Sequence, residues 1–239
     1  MVGEAVNLEY KMAKGEVLIY RSIVHSDQAV KEEETTTTQS SDLLMNMDQE
    51  AKEVRADGLM DVEVTITGGK TKVGAEETEL PNAGQVILMT MKKNGEIIKS
   101  SVEIPFSQPP FPSKPVKKGD SWKEQSKITI PGKAEPAVLF YEYTVLGMAS
   151  TGGYNCVEIG IKCDETRITL AEGIDQTIKA IGKTYFASKE GRLVRSEVET
   201  LTQITGPNLL VDNKIKVLVE LVEVKPAPFT SVEQGFIVK

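Results

Sequence analysis

Residues 111–122 read FPSKPVKKGDSW, and the rest of the chain is organised around this stretch. Proline is frequent in it and just before it, at Pro105, Pro109, Pro110, Pro112 and Pro115. Each proline fixes φ near −65° and removes a main-chain donor, so no helix or central strand can run through the segment. We expect an extended strap instead. Lys118-Gly119-Asp120 predicts a turn after the strap, and Trp122, the only tryptophan, is a candidate anchor that packs the strap down.

The halves on either side of the strap carry matching landmarks in the same order. Three pairs of segments correspond: residues 13–16 with 117–120, residues 57–64 with 152–159, and residues 93–100 with 189–196. The last pair is the clearest, because Gly95 and Gly191 each centre a hairpin turn that is followed by the same order of apolar and basic residues. The pattern indicates an internal duplication.

These landmarks predict a mainly β protein with little helix. We expect two antiparallel β-meanders, residues 1–106 and 117–225, that form curved sheets arranged as a sandwich or an open barrel. Residues 107–116 would be the proline-rich strap between them, and residues 226–239 an extended C-terminal tail. Whether the two repeats share one sheet or form two domains stays open at this point.

The central motif carries a resemblance to a known family. With the Lys-Gly openings and the late glycine turns of both halves, FPSKPVKKGDSW resembles a family of uncharacterised bacterial secreted proteins and lipoproteins. The resemblance implies an extracytoplasmic or cell-surface location and no particular chemistry. The sequence departs from the family in having neither a signal peptide nor a lipobox cysteine, so a cytoplasmic location stays open.

Composition argues against several kinds of partner. The chain has 28 basic and 35 acidic residues, a formal net charge of −7, and a pI near 5.0. A nucleic-acid-binding protein needs a basic face, and only short basic pairs occur here. The longest apolar runs hold about five residues, whereas a membrane-spanning helix needs about 20. We therefore expect no nucleic-acid partner and no transmembrane segment.

Local patterns assign most of the strands. Residues 60–67 alternate between apolar and polar side chains, which predicts a strand with one face in water. Asn94-Gly95 predicts a tight hairpin turn between two further strands. Residues 70–84 are polar and without aromatic residues, which favours a loop. Residues 171–182 have isoleucines at helical spacing, but Gly173 and Gly182 limit this segment to one short helix at most.

The sequence contains no recognisable catalytic, metal or cofactor site. His25 is the only histidine, and its strand position favours a packing role over that of a general base. Cys156 and Cys163 lie seven residues apart in one predicted strand and so on opposite faces, which argues against a disulfide between them. Cys163 shares its face with Val157, Ile159 and Ile161, which favours a buried residue over a nucleophile. Calcium binding by Glu32, Glu33 and Glu34 is disfavoured, because neighbouring strand carboxylates point to opposite faces. We expect no enzyme activity and no cofactor, although an Asp/Glu glycosidase stays open.

Two functions of different classes fit these observations. The first is a structural or assembly subunit that self-associates through edge strands or a terminal strand. Its candidate interface residues are the apolar ones of the tail, Phe229, Phe236, Ile237 and Val238. The alternative is a binding module whose curved sheet holds an apolar ligand in an interior pocket.

Overall fold

Twelve antiparallel strands form one curved sheet that does not close into a barrel. A computed structural model describes residues 5–102, 110–128, 130 and 136–228, and no helix occurs among them. The strands are β1 (Val17–Glu32), β2 (Thr35–Val54), β3 (Met60–Val73), β4 (Glu76–Glu79), β5 (Val86–Met91), β6 (Ile97–Ser100), β7 (Ser121–Ile128), β8 (Ala137–Thr151), β9 (Tyr154–Ala171), β10 (Ile174–Ala187), β11 (Arg192–Gly206) and β12 (Leu209–Lys225). The prediction of a mainly β fold with little helix is confirmed.

The first and the last strands meet in the middle of the sheet. Its order is β6-β5-β3-β2-β1-β12-β11-β10-β9-β8-β7, with β4 added beside β3. The chain runs outward from β1 to β6 on one side and inward from β7 to β12 on the other. β1 pairs along its whole length with both β2 and β12, so the two halves share one sheet.

Side chains alternate between two faces of this sheet. In β1, Leu18, Tyr20 and Ser22 are buried on one side, which we call the core face. Ile19, Arg21 and Ile23 point to the other side, which we call the outer face. Because paired residues on neighbouring strands lie on the same face, the pairing register assigns the residues of the other strands to one face or the other.

The main core lies against one end of the core face. It contains a cluster of aromatic side chains: Tyr10, Phe111, Trp122, Tyr143 and Phe186. The Phe111 ring lies 4.6 Å from Phe186 and 5.2 Å from Tyr10, measured between ring centroids. Because residues of β3, β5, β8, β10 and β11 pack into the same cluster, the sheet curves around it.

The N-terminal segment, residues 5–16, crosses this core and connects distant turns. The main-chain nitrogen of Tyr10 donates to the carbonyl oxygen of Lys93 at 2.7 Å, and that of Lys11 donates to Gly191 at 2.8 Å. Arg192 then forms an ion pair with Glu16 at 3.0 Å, with both side chains nearly buried. The segment is therefore hydrogen-bonded to hairpin turns from both halves.

Two of the local assignments were wrong. The predicted loop 70–84 is partly strand, because β3 extends to Val73 and pairs with β4. The segment 171–182 contains no helix, since β10 begins at Ile174 and pairs with strands on both sides. Ile178 points to the core and Ile181 points outward, so a strand accounts for the isoleucine spacing. The strand of residues 60–67 and the hairpin at Asn94-Gly95 are confirmed.

Candidate ligand-binding trough

A broad trough lies on the outer face of the sheet. It has a volume of about 850 Å³ and crosses six neighbouring strands, from β8 through β9, β10, β11 and β12 to β1. Six strands spaced ~4.8 Å apart give it a length of about 24 Å. Nothing among the described residues covers this face as a second layer.

Two cross-strand rows of side chains form the lining. The first row, from β1 to β8, is His25, Lys216, Glu199, Ile181, Lys162 and Glu142. The second, in the same direction, is Ile23, Leu218, Glu197, Lys183, Gly160 and Thr144. Leu146 adds an apolar side chain at the β8 end. The lining of the trough thus contains charged side chains with apolar ones between them.

The apolar side chains of the trough are unusually exposed. Ile181 is 65% exposed, Leu146 38% and Ile23 37%. Strands of one-sided sheets normally place polar residues on the side that faces water. Exposed apolar side chains that lie close together among charged ones are typical of a binding surface.

Two glycines shape the trough. At Gly160 there is no side chain, and a Cβ there would lie 3.4 Å from Leu146 Cδ1, so Leu146 lies over the gap. At Gly182 a Cβ would lie 2.3 Å from the carbonyl oxygen of Glu197. β10 and β11 can approach this closely only because residue 182 is glycine.

Most charged groups around the trough are engaged in ion pairs. Lys183 contacts Glu158 at 2.8 Å, and Lys162 contacts Asp164 at 2.6 Å. Three further ion pairs join Lys214 with Glu199 at 3.0 Å, and Arg195 with both Glu197 and Glu220. These ion pairs hold the charged side chains in place, and the apolar side chains between them stay accessible.

His25 lies at the β1 end of the trough and contacts two carboxylates. Its Nδ1 is 2.7 Å from Asp42 Oδ1, and its Nε2 is 3.1 Å from Asp27 Oδ2. The hydrogen bond with Asp42 is the main cause that raises the pKa of His25. Because both ring nitrogens have carboxylate neighbours, His25 is held in place on the sheet surface.

The residues singled out around the strap lie in or near the main core. Phe111 and Val116 are buried, Pro112 is half-buried and Pro115 is exposed. The turn forms through Asp120, whose main-chain nitrogen donates to the carbonyl oxygen of Lys117 at 3.0 Å. The three glycines Gly95, Gly119 and Gly191 have positive φ values of 89°, 92° and 71°. These residues support the fold and lie outside the trough.

The proposed interface residues Phe229, Phe236, Ile237 and Val238 lie outside the described residues, so the assembly hypothesis stays a prediction.

The described residues contain no helix of the length and apolarity needed to cross a membrane. They also contain no group of three or more His, Cys, Asp or Glu side chains that could hold a metal ion.

The apolar residues of the trough were not identified from the sequence. The trough also lies on the outer face, whereas the expected pocket was on the core face. A pocket was expected in the interior, but the N-terminal segment and the aromatic cluster fill that space. A signal was present in β1, where Ile19 and Ile23 are apolar on the face opposite Leu18 and Tyr20. Only the pairing register shows that Ile23 lies beside Leu218.

Comparison with known proteins bears on the fold alone. No protein-family model matches the chain, and no curated protein matches its sequence. A structure of DynF from the dynemicin biosynthesis pathway of Micromonospora chersina aligns with a TM-score of 0.25 at 6% identity, over 92% of this chain and 87% of that one. A structure of lipovitellin, solved to describe lipid–protein interactions, aligns with a TM-score of 0.51 at 10% identity, over 92% of this chain. The match covers 26% of the lipovitellin chain, and it shows that the two proteins share this sheet architecture.

Proposed function

We propose that the protein is a non-enzymatic binding module that holds an apolar ligand in the trough. The observation that carries the proposal is an open trough of about 850 Å³ whose lining includes the exposed side chains of Ile23, Leu146 and Ile181 among charged ones. Pockets for small ligands commonly enclose about 300–1,000 Å³ and combine an apolar lining with a few polar groups. Covering these side chains would remove apolar surface from water, which favours binding.

The shared architecture with lipovitellin also supports the proposal, since the lipovitellin structure concerns lipid–protein interactions. We keep an extracytoplasmic location as part of the proposal. It is motivated by the resemblance of residues 111–122 to bacterial secreted proteins and lipoproteins.

The state of the candidate nucleophiles supports a role without catalysis. Burial is the main cause that raises the pKa of Cys156 to about 11, so the thiol is protonated at neutral pH. Burial likewise raises the pKa of Cys163. A thiol nucleophile requires the opposite shift.

A substitution within the trough tests the proposal. We expect the neutral fluorescent dye Nile red to bind the wild-type protein with a blue-shifted emission. Ile181→Asp should weaken this binding at least about tenfold, because burial of an aliphatic side chain contributes about 1.5–3 kcal/mol. Leu88→Asp is the matched control, since Leu88 is 54% exposed on β5 and lies outside the trough.

Circular dichroism would verify that both variants remain folded. Equal loss of dye binding in Ile181→Asp and Leu88→Asp would show that the dye does not report on the trough. Absence of saturable binding to the wild-type protein would contradict the proposed function.

A further inference from the structure

We propose that the ligand is a long-chain amphiphile with an anionic head, and that Lys216 binds this head on β12, one strand in from the β1 end of the trough. The inference rests on the proposed function and names the class of ligand. It is carried by the charge arrangement of the lining, which differs between the two ends.

Lys216 is the basic residue of the trough that is available to a ligand. The other three, Lys162, Lys183 and Arg195, each have a carboxylate in ion-pair contact. Among the described carboxylates, none forms an ion pair with Lys216, although its charge is near enough to contribute to lowering the pKa of Asp27. The Lys216 side chain is exposed.

The neighbours of Lys216 in the first row are already engaged. His25, opposite it on β1, contacts Asp42 and Asp27. Glu199, opposite it on β11, pairs with Lys214 at 3.0 Å. An incoming carboxylate would therefore meet an ammonium group whose neighbours need not change partners.

The other end of the trough is less suited to a charged head. Glu142 forms no ion pair with the described basic residues, but Lys123 and Lys162 flank it in register on both sides. These two ammonium groups would offset the attraction of Glu142 for a cationic head. The asymmetry favours an anionic head at Lys216 over a cationic head at Glu142.

An apolar path leads away from Lys216. Leu218 follows on the same face of β12 and pairs with Ile23. On β11 the two rows contain Glu197 and Glu199, and beyond them Ile181 and Leu146 continue the path toward β8. The distance from β12 to β8 spans four strand spacings, or about 19 Å, which is comparable with an extended fatty acyl chain.

A pair of matched fluorescent probes tests the inference. cis-Parinaric acid and its methyl ester have the same chain and differ in the charge of the head, so binding is measured for both at pH 8 and low salt. We expect the wild-type protein to bind the acid about threefold to fivefold more tightly than the ester, as an exposed ion pair allows. In Lys216→Gln the preference should disappear while affinity for the ester is kept. The control Lys99→Gln removes the same charge at an exposed position on β6, outside the trough, and should keep the preference.

Each outcome separates this inference from the proposed function. Equal binding of acid and ester by the wild-type protein would overturn the role of Lys216 and leave the apolar trough supported. The same holds if Lys99→Gln loses the preference as fully as Lys216→Gln, or if a long-chain trimethylammonium amphiphile displaces the ester more strongly than the acid does. Binding of neither probe would contradict the proposed function itself.

Discussion

The indole nitrogen of Trp122 donates a hydrogen bond to the carbonyl oxygen of Pro110 at 3.1 Å. The same ring stacks on Tyr143 at 5.4 Å and meets the edge of Phe111 at 6.4 Å, between centroids. Trp122 therefore joins the strap to β8 through one hydrogen bond and two ring contacts.

Truncation of Trp122 should destabilise the protein strongly. We expect Trp122→Ala to lower the free energy of unfolding by about 3 kcal/mol, because it leaves a cavity between the strap and Tyr143. Denaturant titration of the variant measures this loss. Phe140→Ala is the control, since Phe140 is 52% exposed on the neighbouring strand and should change stability little. A loss below about 1 kcal/mol for Trp122→Ala would show that the strap is held by other contacts.

Gly191 should tolerate a side chain less well than Gly119. Both have positive φ, so alanine costs about 1–2 kcal/mol at either position. At Gly191 a Cβ would also lie 2.5 Å from Lys11 Cβ, whereas at Gly119 nothing lies within 4 Å. We expect Gly191→Ala to be more destabilising than Gly119→Ala by about 1–3 kcal/mol in denaturant titration. Equal losses would mean that the N-terminal segment moves away at no cost.

Glu124 should make the protein less stable as the pH rises. Burial raises the pKa of its carboxyl group, and repulsion by Glu96 adds to the effect. The pKa of Glu124 is therefore higher in the folded than in the unfolded protein, so protonated Glu124 favours folding. This contribution to the free energy of unfolding is complete below the unfolded-state pKa and is lost as pH rises through the folded-state pKa. Glu124→Gln should therefore raise the melting temperature at pH 7 more than at pH 4. The control Glu165→Gln, at an exposed position on β9, should change the melting temperature by the same amount at pH 7 and at pH 4.

The pKa of His25 should depend more on Asp42 than on Asp27. His25 is the only histidine, so its ring protons can be followed by NMR as a single titration. Its pKa is raised, with the hydrogen bond to Asp42 as the largest cause. We expect Asp42→Asn to lower the pKa of His25 further than Asp27→Asn does. The reverse order would show that the imidazole turns toward Asp27 in solution.

The strands were predictable from the sequence where one face is buried and the other is wet. Residues 60–67 follow this pattern, and β3 is where it was expected. The first part of β10, residues 174–182, was missed because its outward positions include the apolar Ile181, so apolar and polar residues do not alternate there. The trough combines residues from six strands, and their proximity depends on cross-strand register that no local pattern contains. The pairing of β1 with β12 was unpredictable for the same reason.

The pairing of β1 with β12 also has a consequence for biosynthesis. β1 pairs with β12 at positions from Val17 to Glu32, and β12 is the last of the twelve strands to be translated. β2 and β3 can join β1 early, but the other edge of β1 stays open until Lys225 has left the ribosome. The Tyr20 hydroxyl likewise cannot form its hydrogen bond, to the carbonyl oxygen of Leu193 at 3.1 Å, until Leu193 has been translated. The nascent chain thus presents a long, unpaired strand edge through most of its translation, when pairing with a second nascent chain would compete with correct folding.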